Sequence, residues 1–346
     1  MIGGLNDVRW CLRTAFFRRA MRFVALLFAL TLTVFCSRAV PQDLRPEIDR
    51  IDQGTTGRVG ESLSVRIDGR QLGEVRHVLF FGPGLRLQGV LPTGPEQLVL
   101  EIEVAENCRV GEHWFVLASP RGFSDLRSVY ISSDIVAAEE EDNDEPDAAQ
   151  PITLPITMTG IIEEGDQDCF SVALRRGQRL SVDAVAMPLS RYLFDAAVEL
   201  LDQDGRRLLY VDDHPLSRQD PIFSWIAQHD GTYYVRIREA AFGGDLDARY
   251  RLQLSHRPRP TVAFPAEFLA SGQPQSIQLL GDAAGPFDFF PDPKKIDRLL
   301  EGDGRTVRLG TSLDLPSSSA KVMLRMAEVA GIVEQEPNDV RGQANQ

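Results

Sequence analysis

Ser62-Leu-Ser-Val-Arg-Ile-Asp68 alternates polar and apolar side chains along its whole length. That is the period of a strand with one face in a core and the other in water, because successive side chains leave a strand on opposite faces. Gly69 ends the stretch as a turn residue. Working outward, Val75 to Phe81 reads as a second strand, broken by Phe81-Gly-Pro-Gly84. Leu98 to Val104 alternates again, and Gly111 to Ala118 and Leu126 to Ile131 follow on either side of Pro120-Arg-Gly122. Short strands at even spacing between Gly/Pro turns predict a β-sandwich over residues 46–133.

Residues 151–256 have the same texture. Cys169 to Leu174, Gln178 to Val185, Ala196 to Leu201, Arg206 to Val211, Thr232 to Arg238 and Tyr250 to Leu254 are strand-like, with Asp202-Gln-Asp-Gly205 and Asp230-Gly231 as tight turns between them. Residues 260–333 form a degenerate β domain, with strand-like stretches at Gln275–Leu280, Thr306–Leu309 and Lys321–Met326 and one short helical stretch at Lys294–Leu300. The expected fold class is therefore all-β, a tandem of β-sandwich modules of immunoglobulin-like and jelly-roll-like kind.

The N-terminus sets the compartment. Arg9, Arg13, Arg18, Arg19 and Arg22 precede an uncharged apolar run from Phe23 to Cys36, and Ser37-Arg-Ala39 follows. A basic region, an apolar region and a small-x-small site make a secretory signal over residues 1–39, cleaved after Ala39. The apolar run is too short for a spanning helix, which needs about 20 residues. Cleavage removes six of the 37 basic residues and one of the 50 acidic ones, which leaves a net charge of −18. Such a surface repels nucleic acid and anionic lipid and favours divalent cations. No nucleic-acid partner and no membrane insertion of the mature chain are expected, and the localisation is secreted, cell-surface or periplasmic. Cys11 and Cys36 leave with the signal, and Cys108 and Cys169 fall in different domains.

One feature repeats. Glu139, Glu141, Asn143 and Asp144 form the pattern E-x-E-x-N-D, and Glu334, Glu336, Asn338 and Asp339 repeat it at a constant offset of 195 residues. Ser64-Val-Arg-Ile-Asp-Gly69 is matched by Ser276-Ile-Gln-Leu-Leu-Gly281 upstream. The layout is thus sandwich, acidic signature, β domain, degenerate sandwich, acidic signature, and residues 334–346 read as the truncated start of a second module. The first signature lies in Ala137–Asp147, where seven of eleven residues are acidic. Taken alone, that composition is also what a solvated linker looks like.

Glu139-Glu-Glu-Asp-Asn-Asp144, Gly160-Ile-Ile162, Gly165-Asp-Gln-Asp-Cys-Phe170, Gly177-Gln-Arg-Leu180, Asp230-Gly-Thr-Tyr-Tyr-Val235 and Tyr250-Arg-Leu252 occur in this order. Together they make residues 139–256 resemble the bacterial pre-peptidase C-terminal domain. That module is a β-sandwich at the ends of secreted proteases, also repeated in large exported proteins, with relatives among the collagen-binding modules of clostridial collagenases. The family has Pro where Asp142 stands and an aromatic where Cys169 stands. Val110-Gly-Glu-His-Trp-Phe-Val116 and Ser119-Pro-Arg-Gly-Phe-Ser124 make residues 46–133 similar to an immunoglobulin-like IPT/TIG module. The pairing of the two resembles large exported proteins of planctomycete-type bacteria.

The resemblance implies a calcium site. Alternation along an extended segment puts Glu139, Glu141 and Asn143 on one side. Asp144 follows at the turn, and Asp166 and Asp168 would meet them from the hairpin before Phe170. The alternative is a solvated acidic run with the two aspartates capping a turn. Asp212, Asp213 and Asp220 form a looser acidic loop, read first as turn residues and secondly as a further ion site.

No catalytic constellation is expected. The five histidines, His77, His113, His214, His229 and His256, fall singly, and H-E-x-x-H, G-x-S-x-G and phosphate-cradling motifs do not occur. The function expected is a non-catalytic exported binding or adhesion protein whose partner is an extracellular polymer or surface protein. The alternative is an accessory or remnant C-terminal part of a secreted protease. Tyr192, Phe194, Phe223, Trp225, Tyr233 and Tyr234 are candidate binding aromatics, with core packing as their ordinary role.

Overall fold

The computed structural model describes residues 45–189, 193–214, 219–269, 276–290, 308–310 and 324–327. The signal segment, Tyr192, the Lys294–Leu300 stretch and the second acidic signature lie outside the described residues. The described chain is all-β, with only two single-turn 3-10 helices, at Leu72–Glu74 and Met187–Leu189.

The first sandwich is built from β1 (Glu47–Gln53), β2 (Thr56–Arg58), β3 (Ser62–Arg70), β4 (His77–Phe81), β5 (Leu85–Pro92), β6 (Gln97–Val104), β7 (Gly111–Ser119), β8 (Gly122–Phe123) and β9 (Arg127–Ser132). One sheet has the order β1-β3-β6-β5 and the other β2-β9-β7-β4, with β8 paired to β7. Strand β3 shows the alternation of its sequence directly: Leu63, Val65 and Ile67 are buried, while Ser62, Ser64 and Arg66 are exposed. These side chains meet Leu98, Leu100 and Ile102 of β6 and Phe115 and Leu117 of β7 in one core.

The second sandwich follows with β10 (Ile135–Ala138), β11 (Gln150–Pro151), β12 (Ile156–Ile161), β13 (Gln167–Leu174), β14 (Arg179–Val185), β15 (Ala196–Leu201), β16 (Arg207–Val211), β17 (Ile222–Ile226), β18 (Gly231–Glu239) and β19 (Arg249–Ser255). Its sheets have the orders β10-β12-β19-β14-β17 and β11-β13-β18-β15-β16. Phe170 and Val172 of β13, Val235 and Ile237 of β18, and Tyr250, Leu252 and Leu254 of β19 fill the space between them. Glu199 of β15 is buried on the outer side, where Arg236 donates to one of its oxygens and Arg207 to the other. The predicted turn at Asp202 is present: the Asp202 carboxylate accepts the backbone N–H groups of Asp204 and Arg206, and Gly205 takes a φ of 75°.

Ion pairs join the successive β units. Asp134 is buried between the sandwiches and accepts from Arg257 at 2.6 and 3.0 Å and from Gln253 at 3.0 Å. Beside it, the Arg251 guanidinium lies 3.5 Å from the centroid of the Tyr130 ring. Arg259 bonds Asp183, and Arg179 bonds Asp282, across the next junction. Beyond it are β20 (Val262–Phe264), β21 (Glu267–Leu269), β22 (Ile277–Leu280), β23 (Phe287–Phe289), β24 (Arg308–Gly310) and β25 (Leu324–Ala327), in the two small sheets β20-β22-β23 and β21-β25-β24.

Candidate functional site

The acidic segment is a crossover between two sheets. Strand β10 runs parallel to β12, with Ala138 opposite Thr159, and β11 runs parallel to β13, with Gln150 opposite Phe170. These pairings fix both ends of residues 139–149, one to each sheet of the second sandwich. Glu139 N–H extends the first ladder to Thr159 O at 3.0 Å, and Cys169 N–H donates to Asn143 O at 3.0 Å. Gln150 ties the two ends together, accepting from Glu140 N–H and donating to Ala138 O. The segment is therefore seated on the sandwich end, not held out in solvent.

Three groups meet at the centre of that end. Asp168 lies on β13 two residues before Phe170, so it shares the inward face of Phe170, Val172 and Leu174 and is fully buried. Tyr250 of β19 closes the core from the other sheet, and its hydroxyl donates to Glu139 Oε2 at 2.8 Å. The other Glu139 oxygen accepts Ile161 N–H at 2.9 Å. Gly160 stands directly across from Tyr250, and a Cβ there would collide with Glu139 Oε2 and the Tyr250 ring. Glycine at this strand position is what lets the glutamate reach the end of the core.

Asp168 is left without a donor. Both of its carboxylate oxygens are buried and make no hydrogen bond, and so are both polar atoms of the Asn143 side chain. The single Tyr250 hydroxyl proton goes to Glu139, and two carboxylates can share a hydrogen bond only when one is protonated. Buried polar groups in folded proteins are nearly always satisfied, so four orphaned atoms at one spot need a partner of another kind. Just outside them, Glu141, Asp144 and Asp166 bring carboxylate oxygens within 4.8 Å of one another. All six residues expected from the acidic signature and the hairpin thus gather at one end of one sandwich, although Glu139 already has two protein partners.

The electrostatics follow from this crowding. Burial pushes the Asp168 carboxyl up strongly, and the neighbouring Glu139 adds to the shift. Burial also raises Glu139, opposed by its contact with Asp168 and then by the bonds from Tyr250 and Ile161, with the charge of Asp166 adding least. Glu141 is raised by burial and then by Asp166 and Glu139, and Asp166 by burial and then by Asp144. Burial is the first cause of each shift, and neighbouring carboxylates add to it at Glu141, Asp166 and Asp168.

The remaining candidates separate. The Asp220 carboxylate accepts the backbone N–H groups of Ala186 and Met187, so it holds the 3-10 turn rather than joining Asp212 and Asp213. Among the described residues, Glu141, Asp144 and Asp166 are the one group with metal-ligand spacing. Phe194, Phe223 and Tyr233 are buried in the second core, and Trp225 packs there edge-on to Tyr233 at a centroid distance of 5.0 Å, so core packing claims these four aromatics. Cys108 and Cys169 are both free and buried. Cys108 Sγ lies 3.6 Å from His113 Nε2, a pairing that neither strand pattern announced. Burial pushes the Cys108 thiol up, which disfavours the thiolate a nucleophile would need. His113 faces inward with its ring nitrogen 2.7 Å from Arg109 O.

No family model and no curated protein matches the chain. Among solved structures it is similar to a periplasmic inhibitor of g-type lysozyme from Aeromonas hydrophila, at 12% identity over 35% of this chain and 97% of that one, with a TM-score of 0.25. A surface glycan-binding protein from a mixed-linkage glucan utilization locus of Bacteroides ovatus aligns at 9% identity over 60% and 74%, with a TM-score of 0.22. The secreted serine protease VesC of Vibrio cholerae aligns at 12% over 65% and 53%, with a TM-score of 0.23. Among the described residues, no helix is long and apolar enough to cross a membrane.

Proposed function

We propose that this chain is a non-catalytic, exported β-sandwich protein of the binding or adhesion type, and that a calcium ion pins the entrance segment of its second sandwich across the open end of the core. The observation that carries the calcium reading is Asp168. A fully buried carboxylate with no donor, beside an equally unpartnered Asn143 amide and inside a ring of further carboxylates, is costly unless a cation sits among them.

The donor set is all oxygen: carboxylates from Glu141, Asp144, Asp166 and Asp168 and the Asn143 amide, with Glu139 held at the rear by Tyr250 and Ile161. Hard oxygen donors suit calcium or magnesium, and an irregular ring with long reach suits calcium, which accepts six to eight oxygens at flexible geometry. Such an ion would supply no reaction step. Its role would be mechanical, because ligands from the crossover and from β13 belong to different parts of the chain and are brought together only in the folded state. The resemblance of residues 139–256 to the pre-peptidase C-terminal domain, the signal-like N-terminus and the acidic surface support an exported role. The alternative, an accessory or remnant part of a secreted protease, shares this site and differs only in what the chain would be attached to.

Thermal unfolding of the metal-free chain with and without calcium tests the site. A midpoint that rises with calcium supports the reading, and a midpoint equal in calcium and chelator overturns it.

A further inference from the structure

The second observation lies at the other module. The sheet β2-β9-β7-β4 turns its outer face away from the first core, and that face is unusually apolar. Phe81 is 61% exposed, Phe123 55%, Leu79 48% and Trp114 42%. Register places them side by side: Phe81 is opposite Trp114, Leu79 opposite Val116, and Ala118 opposite both His77 and Phe123. Residues directly opposite one another share a face, so the aromatics form one strip that runs from the edge strand β4 inward across β7.

The inner end of the strip opens into a cleft of about 210 Å³ between the first and second sandwiches. Trp114 and Leu126, with Ile51 and Leu189, supply its apolar lining. Three carboxylates, from Asp49, Glu112 and Asp247, three guanidinium groups, from Arg50, Arg127 and Arg249, and the hydroxyl-bearing Thr55 and Ser128 form its polar lining. Glu112 and Trp114 are two apart on β7 and therefore point the same way, so a flat ring and a carboxylate border the cleft together.

We infer that this cleft and its aromatic strip bind a neutral glycan chain, with one sugar in the cleft against Trp114 and the chain continuing over Phe81. An aromatic face beside hydrogen-bonding groups of both kinds matches a sugar, which offers C–H faces to the ring and hydroxyl groups to carboxylates and guanidinium groups alike. The balanced lining favours neither an anion nor a cation. The acidic surface of the rest of the chain disfavours anionic polysaccharide further. Strands spaced about 5 Å apart make the strip from β9 to β4 long enough for a short oligosaccharide, which fits a polymer better than a free monosaccharide. The inference deepens the binding-protein reading and rests on it, but the side chains that its test changes, Glu112 and Trp114, belong to the first sandwich, whereas the acidic cluster belongs to the second.

The test uses the full mature chain against an array of neutral oligosaccharides in gluco, manno, xylo and galacto configuration, with polygalacturonate and triple-helical collagen as separate arms. Binding to a neutral glycan should quench Trp114 fluorescence and change less than twofold between low salt and 0.5 M salt. Trp114→Ala should weaken it at least tenfold, and Glu112→Gln several-fold, with the melting midpoint of both variants unchanged. No binding to any neutral glycan, preference for polygalacturonate, or full binding by Trp114→Ala would overturn the assignment. Collagen binding that survives Trp114→Ala would also overturn it, while leaving the broader binding-protein reading in place.

Discussion

Replacing Asp168 by Asn separates the cation account from ordinary packing, because it changes one buried charge and almost no volume. In the metal-free protein the Asp168 carboxylate has no donor and lies against Glu139. At a pH where Asp168 is ionised, an amide removes the like-charge contact and offers Glu139 an N–H donor that needs no bound proton. Relieving one unsatisfied buried group is worth about 1–3 kcal/mol, so the metal-free variant should be more stable than the metal-free wild type. With calcium the order reverses. A site filled to about 100 times its Kd adds about 2.7 kcal/mol, and for a cooperative unit the size of the second sandwich that corresponds to a rise of roughly 10 °C. Loss of the central carboxylate should shrink this rise to a degree or two. The assay is differential scanning calorimetry of both proteins in chelator and in 10 mM calcium. An equal calcium-induced rise in both proteins would refute the reasoning. So would a metal-free variant that melts well below metal-free wild type, since that would mean the carboxylate is satisfied by the protein alone.

Glu139, Glu141, Asp166 and Asp168 all have folded-state values raised above their ordinary range. For acids this sign means that the folded state holds protons more tightly than the unfolded one. The associated stability is present below the ordinary carboxylate range, near pH 4, and is lost as pH rises through the raised values. Urea titration of metal-free protein at pH 4.5, 6 and 8 should show that fall, and calcium should remove it; a metal-free stability that rises over this span would contradict the shifts. At the joint between the sandwiches, Asp134→Ala strands the Arg257 guanidinium and should cost about 3 kcal/mol. It should also split the calorimetric transition of the two sandwiches, whereas a single transition at the wild-type temperature would show that Asp134 does not couple them.

The strands that could be read were those with one wet face. Strand β3 kept its period in the structure, and so did β6 and β7, because each has water on one side and a core on the other. Strand β15 is buried at every position, so Ala-Ala-Val-Glu-Leu-Leu carries no period at all, and its strand character showed only in composition. Strand β5 was missed because Gly89 and Pro92 interrupt it and its register slips between Leu87 and Gly89. At the acidic site the grouping of the six oxygen-bearing residues was implied by the family resemblance, since charge and spacing alone fit a solvated acidic run equally well. The roles of Gly160 and Tyr250 were not, because they arise from a cross-strand pairing between segments about ninety residues apart. For the aromatics, core packing is the ordinary role that strand alternation assigns to Phe223, Trp225 and one adjacent tyrosine, and the core between the two sheets takes Phe223, Trp225 and Tyr233. That Phe81 and Trp114 are left outside is decided only by the packing of two sheets.

Calcium titration of the dialysed, metal-free chain by isothermal calorimetry at pH 7 tests the central claim most directly. The account predicts one ion bound per acidic crossover, released protons, and no heat from the same site in Asp168→Asn. Absence of calcium binding up to millimolar concentration, or binding that Asp168→Asn leaves intact, would contradict it.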